Sequence, residues 1–501
     1  MSEDLTRRGP WAGRYPAAAA MVMFALIPYL ALSAAIGPVT PIIGRDLGIS
    51  NQGMSLASGM ANAAYAVGTV LAVQFAQLLH QRRMMIVYVA VLVVGSVLAA
   101  AAQNPAMFIA GHVLQGLCTS LLLIAAVPPL ALGFGASRFR ETAMIMSMCI
   151  FGAVTLGPAI GGLQAESHGW RPLFWGVAAV SAAALVLAVL TFEDVPPADP
   201  TAPRSPLPVL LAAVGSAAAF FGASELTSHR FLELRTAGML VGGLAVIVVL
   251  IVSQYRSSRP LLTIRTMLTS TIPVAGIVLA LFAAAASVSA TALTAALLVN
   301  RFGPLHIGLL YLPELAGALI TAYLLGHLIG RRTVQYMPLV GMGFLAAGIG
   351  VFLIRVPATQ GTTLIGSALT GVGLGATVAP ALFNAGLSLP SATLQRVFAI
   401  VELLRAVAAF MIAPVFAHFA LTVGGDPVTG TRIALWVGLG FAIAGTLLPL
   451  GIYLLGGARP QTPQLEEFVS GDEPAWYSPP LLAAWRGRGL RVRPARASAR
   501  S

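Results

Sequence analysis

The chain has 501 residues, 57% of them hydrophobic and only 9% charged, with a mean hydropathy of +0.87. A soluble protein of that length needs far more charge to cover its surface, which excludes a soluble fold. The formal net charge is +12, every basic side chain counted in it is an arginine with no lysine anywhere, and with only two cysteines neither a disulfide framework nor a thiolate metal site is expected.

The first fifteen residues, within "MSEDLTRRGPWAGRYP", are polar and basic. The apolar run that follows lacks a small-residue cleavage pattern, so no cleavable signal peptide is expected. From there the chain breaks into apolar runs of roughly 20 residues, the thickness of a bilayer. Their backbones must satisfy their own hydrogen bonds, so the runs are helices. The short alternating segments of an outer-membrane barrel are absent. Fourteen spans are predicted at about 16–40, 53–78, 84–102, 106–133, 142–165, 172–192, 207–224, 237–254, 270–299, 305–328, 337–355, 362–387, 396–420 and 432–456. Cys118 and Cys149 fall inside spans and read as packing residues.

Arginines collect at one set of helix ends: Arg7, Arg8 and Arg14, then Arg82 and Arg83, Arg138 and Arg140, Arg256, Arg259 and Arg265, Arg331 and Arg332, and Arg396. Positive loops stay in the cytoplasm, so both termini are expected there, as an even number of spans requires. "LLHQRRMMIVYVAVLVVG" (78–95) and "LIGRRTVQYMPLVGMG" (328–343) each join two spans through an arginine pair. Treating them as equivalent loops of a repeat divides the chain into a cytoplasmic N-terminus (1–15), a six-helix bundle (16–192), an inter-bundle segment with two extra helices (193–268), a second six-helix bundle (269–456) and a basic tail (457–501). Repeats of this kind place a transport site between the halves. In the tail, arginines with Trp476, Tyr477 and Trp485 suit anionic lipid headgroups; a disordered solubilising tail is the alternative.

"FGAVTLGPAIGG" (151–162) puts Gly152, Gly157, Pro158, Gly161 and Gly162 into one apolar helix, although glycine and proline weaken helix interiors. In a membrane, small residues let helices approach backbone to backbone. Taken alone this reads as a packing seam. With "HGWRPLFW" (168–175) it resembles the antiporter motif in the fifth helix of drug:proton antiporters of the major facilitator superfamily. "PIIGRDLGIS" (41–50), "GHVLQGLCTS" (111–120), "RPLLTIRTML" (259–268), "IGLLYLPELAGAL" (307–319) and "VELLRAVAAF" (401–410) resemble further pieces of its fourteen-span branch, in order.

The resemblance implies an all-α polytopic membrane protein: two six-helix bundles of the major facilitator type plus two extra central helices, about fourteen transmembrane helices in all. It implies a multi-pass protein of the bacterial cytoplasmic (inner) membrane, expected to be a monomer. Its function would be multidrug efflux: export of a small hydrophobic or amphipathic substrate by alternating access and proton antiport. The chain departs from the family at charged positions. Leu32 stands where the branch has an acid, Gln77 and His80 where the loop motif has an acid and a glycine, and His112 where the fourth helix has arginine; Arg82 and Arg83 remain. A facilitator, or a transporter of lipids or lipid-like metabolites without standard proton coupling, is therefore an alternative. A receptor or scaffold acting through the basic tail is another.

An ionisable group at mid-membrane costs about 2.5–3.5 kcal/mol on insertion scales, so the few present are candidates. Glu314, near the middle of the tenth run, and His112 are the proton-coupling candidates, each against a structural hydrogen-bonded role. Glu402 and Arg405, spaced i,i+3, read as an ion pair or a gate. Cavity candidates are Asn62, Tyr65, Gln115, Asn384, Phe24, Tyr29, Phe383 and Phe410, although packing and interhelical hydrogen bonds explain such residues equally well. Phosphate-binding loops, HExxH and metal clusters are missing, so neither an enzyme, a cofactor, a metal nor a nucleic-acid partner is expected; protons and membrane lipids are the other expected partners.

Overall fold

A computed structural model of the chain describes residues 9–192, 197, 205–471 and 473–486. Arg7, Arg8 and the arginine-rich run 487–501 lie outside the described residues. Fourteen helices among the described residues are long and apolar enough to cross a membrane. They are α1 (Tyr15–Leu47), α2 (Asn51–Leu78), α3 (Gln81–Ala100), α4 (Pro105–Leu132), α5 (Gly135–Glu166), α6 (Arg171–Thr191) and α7 (Pro206–Glu225). The others are α8 (Leu234–Arg256), α9 (Thr271–Leu298), α10 (Pro304–Leu328), α11 (Arg332–Ile354), α12 (Gln360–Leu387), α13 (Ser391–Thr422) and α14 (Pro427–Gly456).

Polar caps start several of them at the arginine-poor face. Ser50 accepts a hydrogen bond from the Gly53 N–H, Asn104 from Met107, Thr359 from Thr362, and Asp426 from Val428 and Thr429. Each satisfies amide donors that the first turn leaves free. Pro105 and Pro427, at the first helical position, lose nothing by lacking an N–H. Five ends differ from expectation by five residues or more; α11 and α13 each start five residues early, at Arg332 and Ser391, in a short 3-10 turn. α1 runs on through Pro38 and Pro41 to Leu47 and stops at Gly48, whose φ of 67° is left-handed. Proline within the helix forfeits one bond but does not end it when neighbours pack around the bend. α5 starts earlier, at Gly135, and α14 at Pro427, because capped or charged turns project beyond the apolar run.

The packing is a duplicated pattern. In the first bundle α1 packs on α5 and α6, α2 on α4, and α3 on α4 and α6; in the second α9 packs on α13 and α14, α10 on α12, and α11 on α12 and α14. Shifting each helix by eight converts one set into the other. The same shift converts the α5–α10 contact into α13–α2, and these two seams join the halves. α7 and α8 pack on each other, and α7 lies on α2 and touches α13. Lipid gives no hydrophobic drive for these contacts, so small residues carry them: a Cβ on Gly59 of α2 would stand 2.1 Å from the Ser224 hydroxyl of α7.

Segment 457–486 is not lipid-facing as a whole. Trp476 is 3% exposed and Phe468 fully buried, which corrects the placement of Trp476 at the interface; Tyr477 and Trp485 are exposed. A short helix, Leu465–Ser470, folds back under the arginine-bearing face.

Candidate functional site

The glycines of "FGAVTLGPAIGG" face two different helices. A Cβ on Gly157 would lie 2.5 Å from the Ala34 Cβ, and one on Gly161 2.2 Å from the Ala35 carbonyl oxygen, both on α1. Gly162 faces the second half: its Cβ would meet the Pro304 carbonyl oxygen at 2.4 Å, and a Cβ on Gly308 would meet that of Pro158 at 2.6 Å. Gly152 is looser, 3.4 Å from the Leu319 Cδ2. α5 remains helical through Pro158. The motif is thus a backbone-to-backbone seam, tightest where α5 meets α10 and α1 near the arginine-poor face.

The other seam gathers four of the candidates. Arg405 donates from Nε and Nη2 to Glu402 Oε2 at 2.9 and 2.7 Å. Tyr65 of α2 donates to the same oxygen at 3.4 Å, and its ring meets Phe410 edge-on at 6.1 Å. Glu402 also lines a narrow interbundle cavity of about 20 Å³ with Leu123, Val127, Met146, Phe151 and Phe383. That is room for about one water. Nothing larger fits there unless the halves part. Phe383 meets Phe139 of α5 and Phe398 of α13 edge-on, floored on the arginine side. Gln395 of α13 donates across the same gap to the Ile124 carbonyl of α4 at 3.2 Å.

Glu314 is elsewhere. It is buried within the second bundle, its backbone against Gly371 of α12, with the Thr291 hydroxyl of α9 beside its carboxyl. The Thr291 hydroxyl makes no well-formed hydrogen bond. Nearby Tyr311 bonds Thr294 at 2.6 Å. His112, Gln115 and Tyr29 form a group inside the first bundle: His112 Nδ1 and Gln115 Oε1 are 3.2 Å apart, and Gln115 donates to Ser96 at 3.1 Å. The rings of Tyr29 and Phe108 flank His112 at 5.7 and 5.9 Å. Leu32 is fully buried. Asn384 is buried with neither amide atom bonded, a costly arrangement that leaves both free for a polar partner. Asn62 is half-buried, while Phe24 is exposed and joins no ring contact among the described residues. Arg82 donates to the Val189 carbonyl at the end of α6 at 3.1 Å; Arg83 is exposed.

One buried acid escaped the sequence reading. Glu225, last in α7, accepts from Gln52 of α2 at 2.9 Å and pairs with His229 at 3.1 Å. His418 of α13 donates to the adjacent Leu226 carbonyl at 2.9 Å. Its position just past an apolar run gave no signal.

With fourteen helices, two related bundles and two seams in place, relatives can be compared. The profile of the Major Facilitator Superfamily matches residues 22–311. The chain belongs to that superfamily. This member is similar to the Multidrug resistance protein B homolog of Mycobacterium tuberculosis (strain ATCC 25618 / H37Rv), 28% identical over 307 residues, 60% of this chain and 56% of that protein. It is also similar to the Tetracenomycin C resistance and export protein of Streptomyces glaucescens, 25% identical over 376 residues, 74% of this chain and 68% of that protein. The match thus spans little more than half the length of the first of these. In shape the superfamily member is similar to the proton:xylose symporter XylE, with a TM-score of 0.62, 11% identity, and 91% and 98% of the two chains covered; that likeness concerns the fold alone.

Proposed function

We propose that the chain is a secondary active exporter of hydrophobic or amphipathic small molecules, working by alternating access and driven by proton antiport. The observation that carries this reading is the placement of α10. The same helix holds Glu314 near its middle and forms the seam with α5 through Pro304 and Gly308. A proton arriving at Glu314 therefore acts on the helix that holds the halves together, through its backbone contact with Gly371 of the cavity-lining α12.

Charge accounting divides the two acids. Glu402 already has its charge cancelled by Arg405 on the same helix, so it serves as a gate across the α2–α13 seam through the bond from Tyr65, which must break as the halves part while the ion pair stays with α13. Glu314 has no arginine or histidine paired with it among the described residues. A proton or a cationic substrate is what cancels its charge, the requirement of an exchange site. The apolar cavity wall suits lipophilic substrates. The names of the relatives support a drug-like class.

A second reading, a facilitator, is favoured by His112, which stands where the branch has arginine and is enclosed in the first bundle away from the cavity lining. The test uses everted vesicles with an imposed inside-acid gradient, a pH-sensitive dye and a panel of neutral and cationic lipophilic compounds. Antiport predicts protein-dependent collapse of the gradient on adding substrate, lost in Glu314→Gln. A facilitator predicts equilibration of labelled compound with no collapse. Wild-type coupling in Glu314→Gln would overturn its role.

A further inference from the structure

The segment after α14 does more than trail from the bundle. Among the described residues, backbone and side-chain hydrogen bonds tie it to the second half. The Ala475 N–H donates to the Leu387 carbonyl at the end of α12 at 2.9 Å, and Thr271 N–H at the start of α9 donates to the Pro479 carbonyl at 2.9 Å. Leu481 N–H donates to the Thr269 carbonyl at 2.8 Å, Ala484 N–H to that of Leu455 at 3.0 Å, and Ile272 N–H to the Ser478 hydroxyl at 3.0 Å.

Its contact with the first half has a different character. Phe468 is fully buried and meets Phe139 of α5 edge-on, with ring centroids 6.0 Å apart. Phe139 in turn meets Phe383 at 5.9 Å, and Phe383 meets Phe398 at 5.6 Å. The last two line the interbundle cavity. Four rings therefore run from the cavity to the arginine-bearing face, contributed by the segment, α5, α12 and α13 in turn. Hydrogen bonds fix the segment to one half, while a non-directional apolar contact touches the other. Such a contact can part and re-form without stranding a polar group.

We propose that residues 461–471 and 473–481 are a gate on the arginine-bearing face, with Phe468 as its outermost ring, which must withdraw from Phe139 before the cavity opens to that side. The segment rides with the second half throughout and closes against the first. This inference rests on the alternating-access reading. Burial of a phenylalanine side chain is worth enough to bias such an equilibrium by about tenfold or more.

The test is access to Ser147, a cavity-lining residue of α5. Ser147→Cys is placed in a Cys118→Ala/Cys149→Ala background and labelled by a membrane-impermeant maleimide in vesicles of each orientation, without substrate or gradient. Phe468→Ala is expected to label about tenfold faster from the arginine-bearing face, with Phe468→Leu in between and labelling from the other face no faster. A second arm adds Phe139→Cys and Phe468→Cys and reads modification at residue 147 by peptide mass spectrometry. Oxidation to the cross-linked form should suppress labelling from the arginine-bearing face, and reductant should restore it in the same folded protein. Equal rates in Phe468→Ala and wild type, or unchanged labelling after cross-linking, overturn the gate and leave the export reading standing. No labelling from that face in any variant overturns both the gate and alternating access. Because no substrate is used, failed export in the dye assay leaves the gate standing.

Discussion

Replacing Gly162 by alanine should weaken closure of the arginine-poor face without unfolding either bundle. The new Cβ would stand 2.4 Å from the Pro304 carbonyl oxygen, 2.8 Å from its carbon and 2.9 Å from the Leu305 Cα. All three are backbone atoms, which cannot swing aside as a flexible side chain can. Bringing the shortest contact to the 3.0 Å that real carbons tolerate parts α5 and α10 by about 0.6 Å. Overpacking of this kind costs about 1–3 kcal/mol. The contact exists only when the halves are closed there, so the cost falls on that state alone. Alanine's helix preference over glycine, about 0.5–1 kcal/mol, applies in both states and cancels. The closed-to-open ratio should therefore fall about 5- to 150-fold. Spin labels at Ser167→Cys and Arg301→Cys, both exposed near this end of the seam, report it as loss of dipolar broadening. Gly152→Ala is the control, because its Cβ meets only the side-chain tips of Leu319 and Leu315, at 3.4 and 3.6 Å. Identical spectra for the two variants would refute the reasoning.

Four further outcomes follow from the charged and capping groups. Glu314→Gln should fold and bind substrate yet lose gradient-driven export, as read by dye and label together. Glu402→Gln strands a buried guanidinium and should lower stability by about 3–5 kcal/mol, while Glu402→Gln with Arg405→Met restores most of it; equal melting temperatures for the single and double variants would count against a buried pair. Tyr65→Phe keeps the ring on Phe410 and loses only a long bond of 3.4 Å, so its stability should fall by under about 1 kcal/mol, read as a small shift in melting temperature. Asp426, at the water-exposed start of α14, has its carboxyl held below the usual carboxylate range by hydrogen bonds from the side chain and backbone of Thr429. A depressed folded value means its stabilisation is present above the ordinary carboxylate range and lost as pH falls through the folded value. Asp426→Asn, which keeps an acceptor but cannot titrate, should flatten that acid-side loss in a pH series of melts.

Fourteen spans were legible because bilayer thickness fixes the length of every apolar run, and the motif glycines because nothing else lets α5 approach α1 and α10 so closely. The rotation of each helix was not legible. A span apolar all round carries no stripe to say which way it faces, so nothing in "LPELAGAL" told whether Glu314 points at the cavity or at Thr291 of α9. The union of Tyr65, Glu402, Arg405 and Phe410 needs the α2–α13 register, which only tertiary packing sets. The folded segment was hidden for another reason: Leu465, Phe468 and Val469 are three apolar residues in a six-residue helix, too few to make a periodic signal.

The two seams between the halves are equivalent in the repeat but not in what surrounds them. α7 lies along α2 and reaches α13, with Ser224 bonded to the Ser55 carbonyl and His418 to that of Leu226. α7 of the inserted pair thus stands as a screen across one lateral doorway, and among the described residues no helix covers the α5–α10 doorway in that way. In the proposed export cycle, a compound dissolved in the bilayer and entering sideways meets less protein at the α5–α10 seam than at the α2–α13 seam, and the glycines of α5 are the jamb of that door.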